Sequence, residues 1–230
     1  MLVDCGPAVF ARRTLPEWLR SRGIERVDDA IGAAGESRFA GGWPELMKGI
    51  GVGAFWVGPE GRSGSALRQA HAAAHDHGVP IRRLSAGRSV GPWEVLWPED
   101  GGQGTRSDDH ALVLAGHVDG VRCCLIPGLN PEAQRRLVAR HGDRLRADVV
   151  IAGVPGRGEP LVPELLACLQ PRAVVLLTSD RPATLKLSRA VRRRLRASVP
   201  DGAVWFTDEV GAVEVMLRSG RWKVTSGTER

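Results

Sequence analysis

The sequence contains no tyrosine and only four phenylalanines among its 230 residues, so seven tryptophans supply most of its aromatic surface. We interpret these tryptophans as packing residues of the core and the surface. The sequence also lacks any apolar run near the ~18 residues of a membrane span, and its start lacks the pattern of a signal peptide. These absences predict a chain without a membrane span of its own, located in the cytoplasm or associated with a membrane.

Cysteine is scarce as well, with four residues that show no chelating spacing. Cys123 and Cys124 are neighbours, so on a strand their side chains would point to opposite faces. A disulfide framework is therefore not expected, and the cysteine pattern favours a reducing compartment.

Acidic residues are missing from the stretch 181–196, which carries seven basic residues. The formal net charge is +6, so the rest of the chain sums to −1. An apolar stripe of Leu187, Val191 and Leu195 predicts a basic helix over Thr184–Ala197. Its arginines either form the solvated face of that helix or contact nucleic acid, whose phosphates clustered guanidiniums neutralise with low sequence specificity. The candidate nucleic-acid contacts are Arg189, Arg192, Arg193, Arg194 and Arg196.

Composition and patterning predict one globular α/β domain over residues 1–230, since 43% of the residues are hydrophobic and 25% are charged. Val149–Ile151 and Ala173–Leu177 are uninterrupted apolar runs, as expected of strands covered on both faces. Pro163–Leu169 forms a helix between them, so the pattern is that of a layered α/β sandwich. Further helices are predicted over Thr14–Gly23, Pro44–Lys48, Ser65–His77 and Pro131–His141, and further strands over Val27–Ile31, Val52–Val57, Ile81–Leu84, Trp93–Trp97, Ala111–Ala115, Val121–Ile126 and Ala203–Thr207.

Several short segments, in a fixed order, resemble the frame of a known superfamily. Leu2–Pro7 resembles a strand and turn of the form LVDxGP, and Gly41-Gly42 precedes a helix start at Trp43–Leu46. The later segments are Asp108–Leu114, Cys124–Leu129 and Ala152–Gly158. Together they resemble the metallo-β-lactamase superfamily, most closely the soluble domain of ComEC-type DNA-uptake competence proteins. The resemblance implies an αββα sandwich, here short at its N-terminus because the family usually has one or two strands before the LVDxGP segment.

The same resemblance places non-ligand residues at the family's metal-ligand positions. The loop His-x-His-x-Asp-His of the family is matched by Ala34, Glu36, Arg38 and Phe39. Gly128 stands where an aspartate bridges the metals, and Gly156 and Arg157 stand where a later histidine is expected. A dinuclear site needs imidazole and carboxylate ligands that converge on each ion. The resemblance therefore implies a degenerate site with no resident metal and no catalytic residue.

We therefore expect a non-catalytic domain that acts by binding or scaffolding. Its expected partners are the membrane channel of a competence system, or nucleic acid. Arg38 and Arg157 would make the former metal site suitable for an anion. The alternative is a hydrolase or nuclease that uses zinc or manganese at a relocated site. The candidate residues of that site are Glu36, Asp108, Asp109 and His110, with His117 as a further candidate.

Two weaker patterns and one further alternative complete the reading. The loop Gly58–Ser65 could hold a phosphate at a helix N-terminus, but it lacks the Lys-Ser/Thr ending of a P-loop, so a plain loop with a Ser63 cap is favoured. His71, His75 and His77 have metal-like spacing on one helix, with His71 expected to face inward, and no carboxylate or cysteine completes a ligand set. A truncated gene product without independent function is the remaining reading.

Overall fold

The computed structural model describes residues 1–59, 64–101, 106–179 and 186–227. Ser63 and most of the Gly58–Ser65 loop, with its phosphate hypothesis, lie outside the described residues. The chain divides into two compact units, Met1–Val90 with Trp97–Leu112 and Gly91–Leu96 with Val113–Arg230. Both units combine helices with a largely parallel sheet, so the predicted α/β class is confirmed. The single-domain organisation and the αββα arrangement stay predictions.

The first unit is built on a parallel four-stranded sheet in the order β1-β2-β3-β4. Trp43 and Phe55 are fully buried beside this sheet and meet edge to face, with ring centroids 5.2 Å apart. The strands are β1 Leu2–Val3, β2 Arg26–Gly32, β3 Gly51–Val57, β4 Ile81–Arg83 and β5 Ser89–Val90, and the helices are α1 Ala8–Arg12, α2 Thr14–Ser21, α3 Ser37–Ala40, α4 Trp43–Leu46 and α5 Ser65–Asp76, with a 3-10 turn over Ser107–Asp109.

The long helix of this unit, α5, shows why its sequence folds as it does. Its buried residues Ala66, Leu67, Ala70 and Ala74 recur at helical spacing and form one apolar stripe. The helix ends before Gly78, whose φ of 66° is one that glycine adopts without strain. The opposite face is polar, and it includes His71, which is exposed rather than inward-facing as expected.

The second unit contains six consecutive strands of a larger sheet, in the order β11-β10-β9-β8-β7-β6. Strands β8 to β11 are parallel, and β7 pairs with β8 as an antiparallel hairpin. A separate hairpin, β12–β13, packs through Trp222 and Val215 against a cluster that includes Val121 and Val149. The strands are β6 Trp93–Trp97, β7 Val113–Val118, β8 Val121–Ile126, β9 Val149–Gly153, β10 Ala173–Leu177, β11 Val204–Phe206, β12 Val213–Arg218 and β13 Arg221–Ser226, and the helices are α6 Pro131–His141, α7 Pro163–Leu169, α8 Arg189–Ser198 and α9 Thr207–Val210, with 3-10 turns over Gly142–Leu145 and Pro200–Gly202.

Two element boundaries differ from the sequence-based expectation. The hairpin turn lies at Asp119-Gly120, both with positive φ, so β7 extends through His117. Helix α8 begins at Arg189 and not at Thr184, because the Ser188 hydroxyl accepts a hydrogen bond from Val191 N and caps the helix there. Across the described residues, no helix is both long enough and apolar enough to cross a membrane.

Candidate functional site

The loop that follows β2 is held at both ends by hydrogen bonds to the residues that follow β1. Asp4 Oδ1 accepts hydrogen bonds from Ala33 N at 2.8 Å and from Ala34 N at 3.4 Å. The carbonyl of Phe39 accepts from Cys5 N at 3.0 Å and from Gly6 N at 2.8 Å. These bonds place the segment that matches the family's metal loop directly against the LVDxGP turn.

The side chains of this segment pair with one another. Arg38 Nη2 lies 2.6 Å from Glu36 Oε2, and both side chains are about four-fifths buried, with 21% and 23% exposure. The Arg38 guanidinium also lies over the Phe39 ring, 4.7 Å from its centroid. Burial raises the pKa of Glu36 and lowers the pKa of Arg38, and their mutual attraction opposes both shifts. The loop therefore carries an internal ion pair between two of its four matched positions.

A second ion pair lies close to the first. Asp108 is buried, with 1% of its side chain exposed, and Arg106 binds it through Nε at 2.8 Å and Nη2 at 2.9 Å. These hydrogen bonds raise the pKa of Arg106. Asp108 adds to the raised pKa of Glu36 and Arg106 opposes it, so the two pairs form one electrostatic cluster. Sequence analysis identified three of its members and missed Arg106, whose spacing of two residues from Asp108 was the available signal.

Asp109 has a structural role next to this cluster. Its Oδ2 atom accepts a hydrogen bond from Arg106 N at 2.9 Å and closes the 3-10 turn. Its carbonyl accepts from Trp97 Nε1 at 2.7 Å. The Asp109 carboxylate is thus engaged by the backbone of its own turn.

A small pocket opens between the loop after β2, the loop after β3 and the 3-10 turn. Its enclosed volume is about 10 Å³, which has room for about one water molecule. A Cβ atom added to Gly35 would lie 2.6 Å from Gly64 N, so these two glycines allow the loop to approach the start of α5. The pocket is lined by Gly32, Ala33, Gly35, Gly58, Pro59, Leu67, Ser107 and His110.

The residues at the matched positions do not fit a dinuclear zinc or manganese site. Ala34 and Phe39 have no ligating atom and are buried. Glu36 is engaged by Arg38, and a cation already occupies that carboxylate. Within the described ranges, no group of three or more histidine, cysteine, aspartate or glutamate side chains has an arrangement that could hold a metal ion.

The remaining matched positions belong to the second unit. Gly128 has a φ of 76°, and Gly156 and Arg157 are exposed in the segment after β9. His117 is exposed on β7, where it pairs with Arg122 across the hairpin. None of the first three offers a side chain that ligates zinc or manganese.

The basic helix α8 spends part of its charge within the fold. Arg192 forms ion pairs with Asp208 and with Glu209, the latter at 2.8 Å, and lies 4.6 Å from the centroid of Phe206. Arg196 pairs with Glu209 at 2.6 Å and lies over the same ring. The Arg192 pairing raises its pKa through the hydrogen bonds to Asp208. These two arginines fasten α8 to the start of α9.

The other three arginines of α8 differ among themselves. Arg194 donates to the Leu161 carbonyl at 2.9 Å and pairs with Glu159 at 3.2 Å. Arg189 and Arg193 are exposed, and neither forms an ion pair with another residue in the described part of the chain. Being four residues apart, they share one helix face. Of the predicted contacts on α8, this pair is the one directed to solvent.

Comparison with known proteins gives a single likeness to report. No protein-family model matches the sequence, and no curated protein matches it. Among solved structures, the chain is similar to a new diphosphatase from the PhnP family, with a TM-score of 0.45 and 8% sequence identity. The match covers 97% of this chain and 78% of that one. At this level, the likeness establishes neither a family nor a function.

Proposed function

We propose that the chain is a degenerate metallo-β-lactamase-type domain, related to DNA-uptake competence proteins, that acts by binding or scaffolding and not by catalysis. Support comes from the way the resembling segments fold. The LVDxGP segment forms β1 and a turn at Gly6 with a φ of 73°. The segment after Gly41-Gly42 forms α4, with Pro44 in its first turn.

The observation that carries this proposal is the ion pair between Glu36 and Arg38. In a metal loop, the carboxylate and imidazole groups would converge on an external cation. Here the guanidinium of Arg38 supplies the positive charge from within the chain, 2.6 Å from the carboxylate. A metal ion at this position would have to displace Arg38 and leave its largely buried charge without compensation, which is costly.

The proposed partners are the membrane channel of a competence system, or nucleic acid. For nucleic acid, the contacts would be Arg189 and Arg193 on α8, with Arg157 after β9, since all three are exposed. Contacts of this kind bind phosphates with little sequence preference and weaken as salt concentration rises. Arg192, Arg194 and Arg196 would act only indirectly, by holding the helix.

The proposal is tested by assaying the full chain for hydrolysis of phosphodiester and phosphate-monoester substrates with added zinc or manganese. We expect no turnover above that of the metal alone. A matched pair of variants, His110→Ala and His71→Ala, identifies any activity that arises. Activity that His110→Ala abolishes and His71→Ala preserves would refute the non-catalytic assignment.

A second candidate function is a metal-dependent hydrolase or nuclease with a relocated site at Glu36, Asp108, Asp109 and His110. The observation that favours it is the closeness of two carboxylates, since Asp108 contributes to the raised pKa of Glu36. A shared cation would relieve that repulsion. This function requires Arg38 and Arg106 to release their partners, so Arg38→Ala with Arg106→Ala should create metal-dependent activity if it is correct.

A further inference from the structure

The first unit exposes apolar side chains on its two N-terminal helices. Four consecutive residues, Pro7 to Phe10, are exposed, with Val9 at 78% and Phe10 at 40%. Trp18, on α2, is 51% exposed. We call Val9, Phe10, Arg13, Trp18 and Arg22 the α1–α2 surface. Single exposed apolar residues are common, but an exposed apolar run with a neighbouring tryptophan is characteristic of an interaction site.

The packing of the two helices explains why these side chains face outward. Ala11, Leu15 and Leu19 take the inward positions and are buried. A Cβ atom added to Gly6 would lie 3.1 Å from the Phe10 ring, so that ring rests directly over the glycine. The core positions of α1 and α2 are thus filled by other residues, and Val9 and Trp18 are left on the outside.

The charge of this surface is positive. Residues 8–23 contain four arginines and one acidic residue, Glu17. Arg22 lies over the Trp18 ring, 5.1 Å from its centroid, and Arg13 forms no ion pair with any residue in the parts of the chain that are described. Arg12 pairs with Glu45 at 3.1 Å. The unopposed guanidiniums therefore flank the exposed apolar groups.

We propose that the α1–α2 surface binds the surface of an anionic phospholipid bilayer. Apolar groups would enter the boundary between headgroups and acyl chains, while Arg13 and Arg22 meet the phosphates. Trp18, with a cation stacked on its ring, has the amphipathic character of residues at membrane interfaces. The most exposed group is the aliphatic Val9, which can insert among acyl chains but cannot stack on a nucleic-acid base. This property lies beyond the proposed function and does not depend on it.

The test is co-sedimentation of the full chain with vesicles of phosphatidylcholine mixed with phosphatidylglycerol, and with vesicles of phosphatidylcholine alone. We expect binding to the anionic vesicles only. Arg13→Gln with Arg22→Gln should weaken binding by about fivefold for each guanidinium removed. Val9→Ser with Trp18→Ser should weaken it by at least about tenfold, because both apolar groups leave the interface.

Control variants separate this surface from the rest of the molecule. Met216→Ser removes another exposed apolar side chain, 46% exposed on β12, and should leave binding unchanged. Arg189→Gln with Arg193→Gln removes the same charge from α8 and should cost less than the Arg13 and Arg22 pair. The proposal is overturned if the Val9 and Trp18 variant sediments like the wild type, or if the α8 control loses as much binding. It is also overturned if anionic vesicles fail to bind while the surface variants lose affinity for a single-stranded oligonucleotide.

Discussion

Asp4 makes the folding stability of this protein depend on pH in a direction that can be tested. Its Oδ1 atom accepts two backbone hydrogen bonds, whereas Oδ2 is buried without a hydrogen-bond partner among the described residues. Burial raises the pKa of Asp4 from 3.8 to about 7, against the lowering effect of the bonds from Ala33 and Ala34. The folded state therefore binds this proton more tightly than the unfolded state does.

The sign and size of the effect follow from linkage. The contribution of Asp4 to stability is fully present below its unfolded pKa, near 3.8, and is lost as the pH rises through about 7. A shift of this size corresponds to at most about 4 kcal/mol of the free energy of unfolding. Asp4→Asn keeps an oxygen that can accept from Ala33 N but cannot ionise. We expect the variant to lose the decline in stability between about pH 4 and about pH 7.

The assay is urea unfolding of the wild type and Asp4→Asn at several pH values, since other titrating groups cancel in the difference between the two chains. The difference should move in favour of the variant as the pH rises. Asp28→Asn, whose native side chain is 88% exposed, is the control and should show no such trend. A difference between Asp4→Asn and the wild type that stays constant across this range would refute the reasoning.

Two further predictions concern packing and charge. Arg192→Ala should destabilise the protein by about 3 kcal/mol, because it leaves the largely buried Asp208 carboxylate without its partner, whereas Arg193→Ala should change stability by less than about 0.5 kcal/mol. Equal effects of the two variants in thermal unfolding would contradict the assigned ion pairs. Gly64→Ala should cost about 1–3 kcal/mol in chemical unfolding, because the added Cβ would lie 2.1 Å from the Gly35 carbonyl oxygen. An unchanged midpoint would show that the loop is not packed against α5 as described.

The central strands and several helices were predictable because their signals are local. The apolar runs at Val149–Gly153 and Ala173–Leu177 became neighbouring parallel strands, paired from Val149 with Ala173 onward. Helix α6 has its predicted bounds, and Asn130 caps it through hydrogen bonds from Glu132 N and Ala133 N. Apolar patterning, turn residues and caps act over a few residues, so the sequence alone can carry them.

The candidate site was only partly predictable because its interactions connect residues far apart in the chain. Arg192 was expected to face solvent, but Asp208 and Glu209 lie 16 and 17 residues further on and neutralise it. No periodicity in α8 signals those partners. The pairing of Glu36 with Arg38 was anticipated because the two residues are two positions apart, whereas the approach of Asp108 depends on the tertiary fold.

The central claim is that the internal pair between Glu36 and Arg38 has taken the place of a metal centre. Its most direct test is a zinc titration of the full chain, followed by calorimetry or by metal analysis after dialysis. The account predicts no saturable binding at one or two ions per chain, for the wild type and for Glu36→Gln alike. Stoichiometric zinc binding by the wild type that Glu36→Gln abolishes would contradict it.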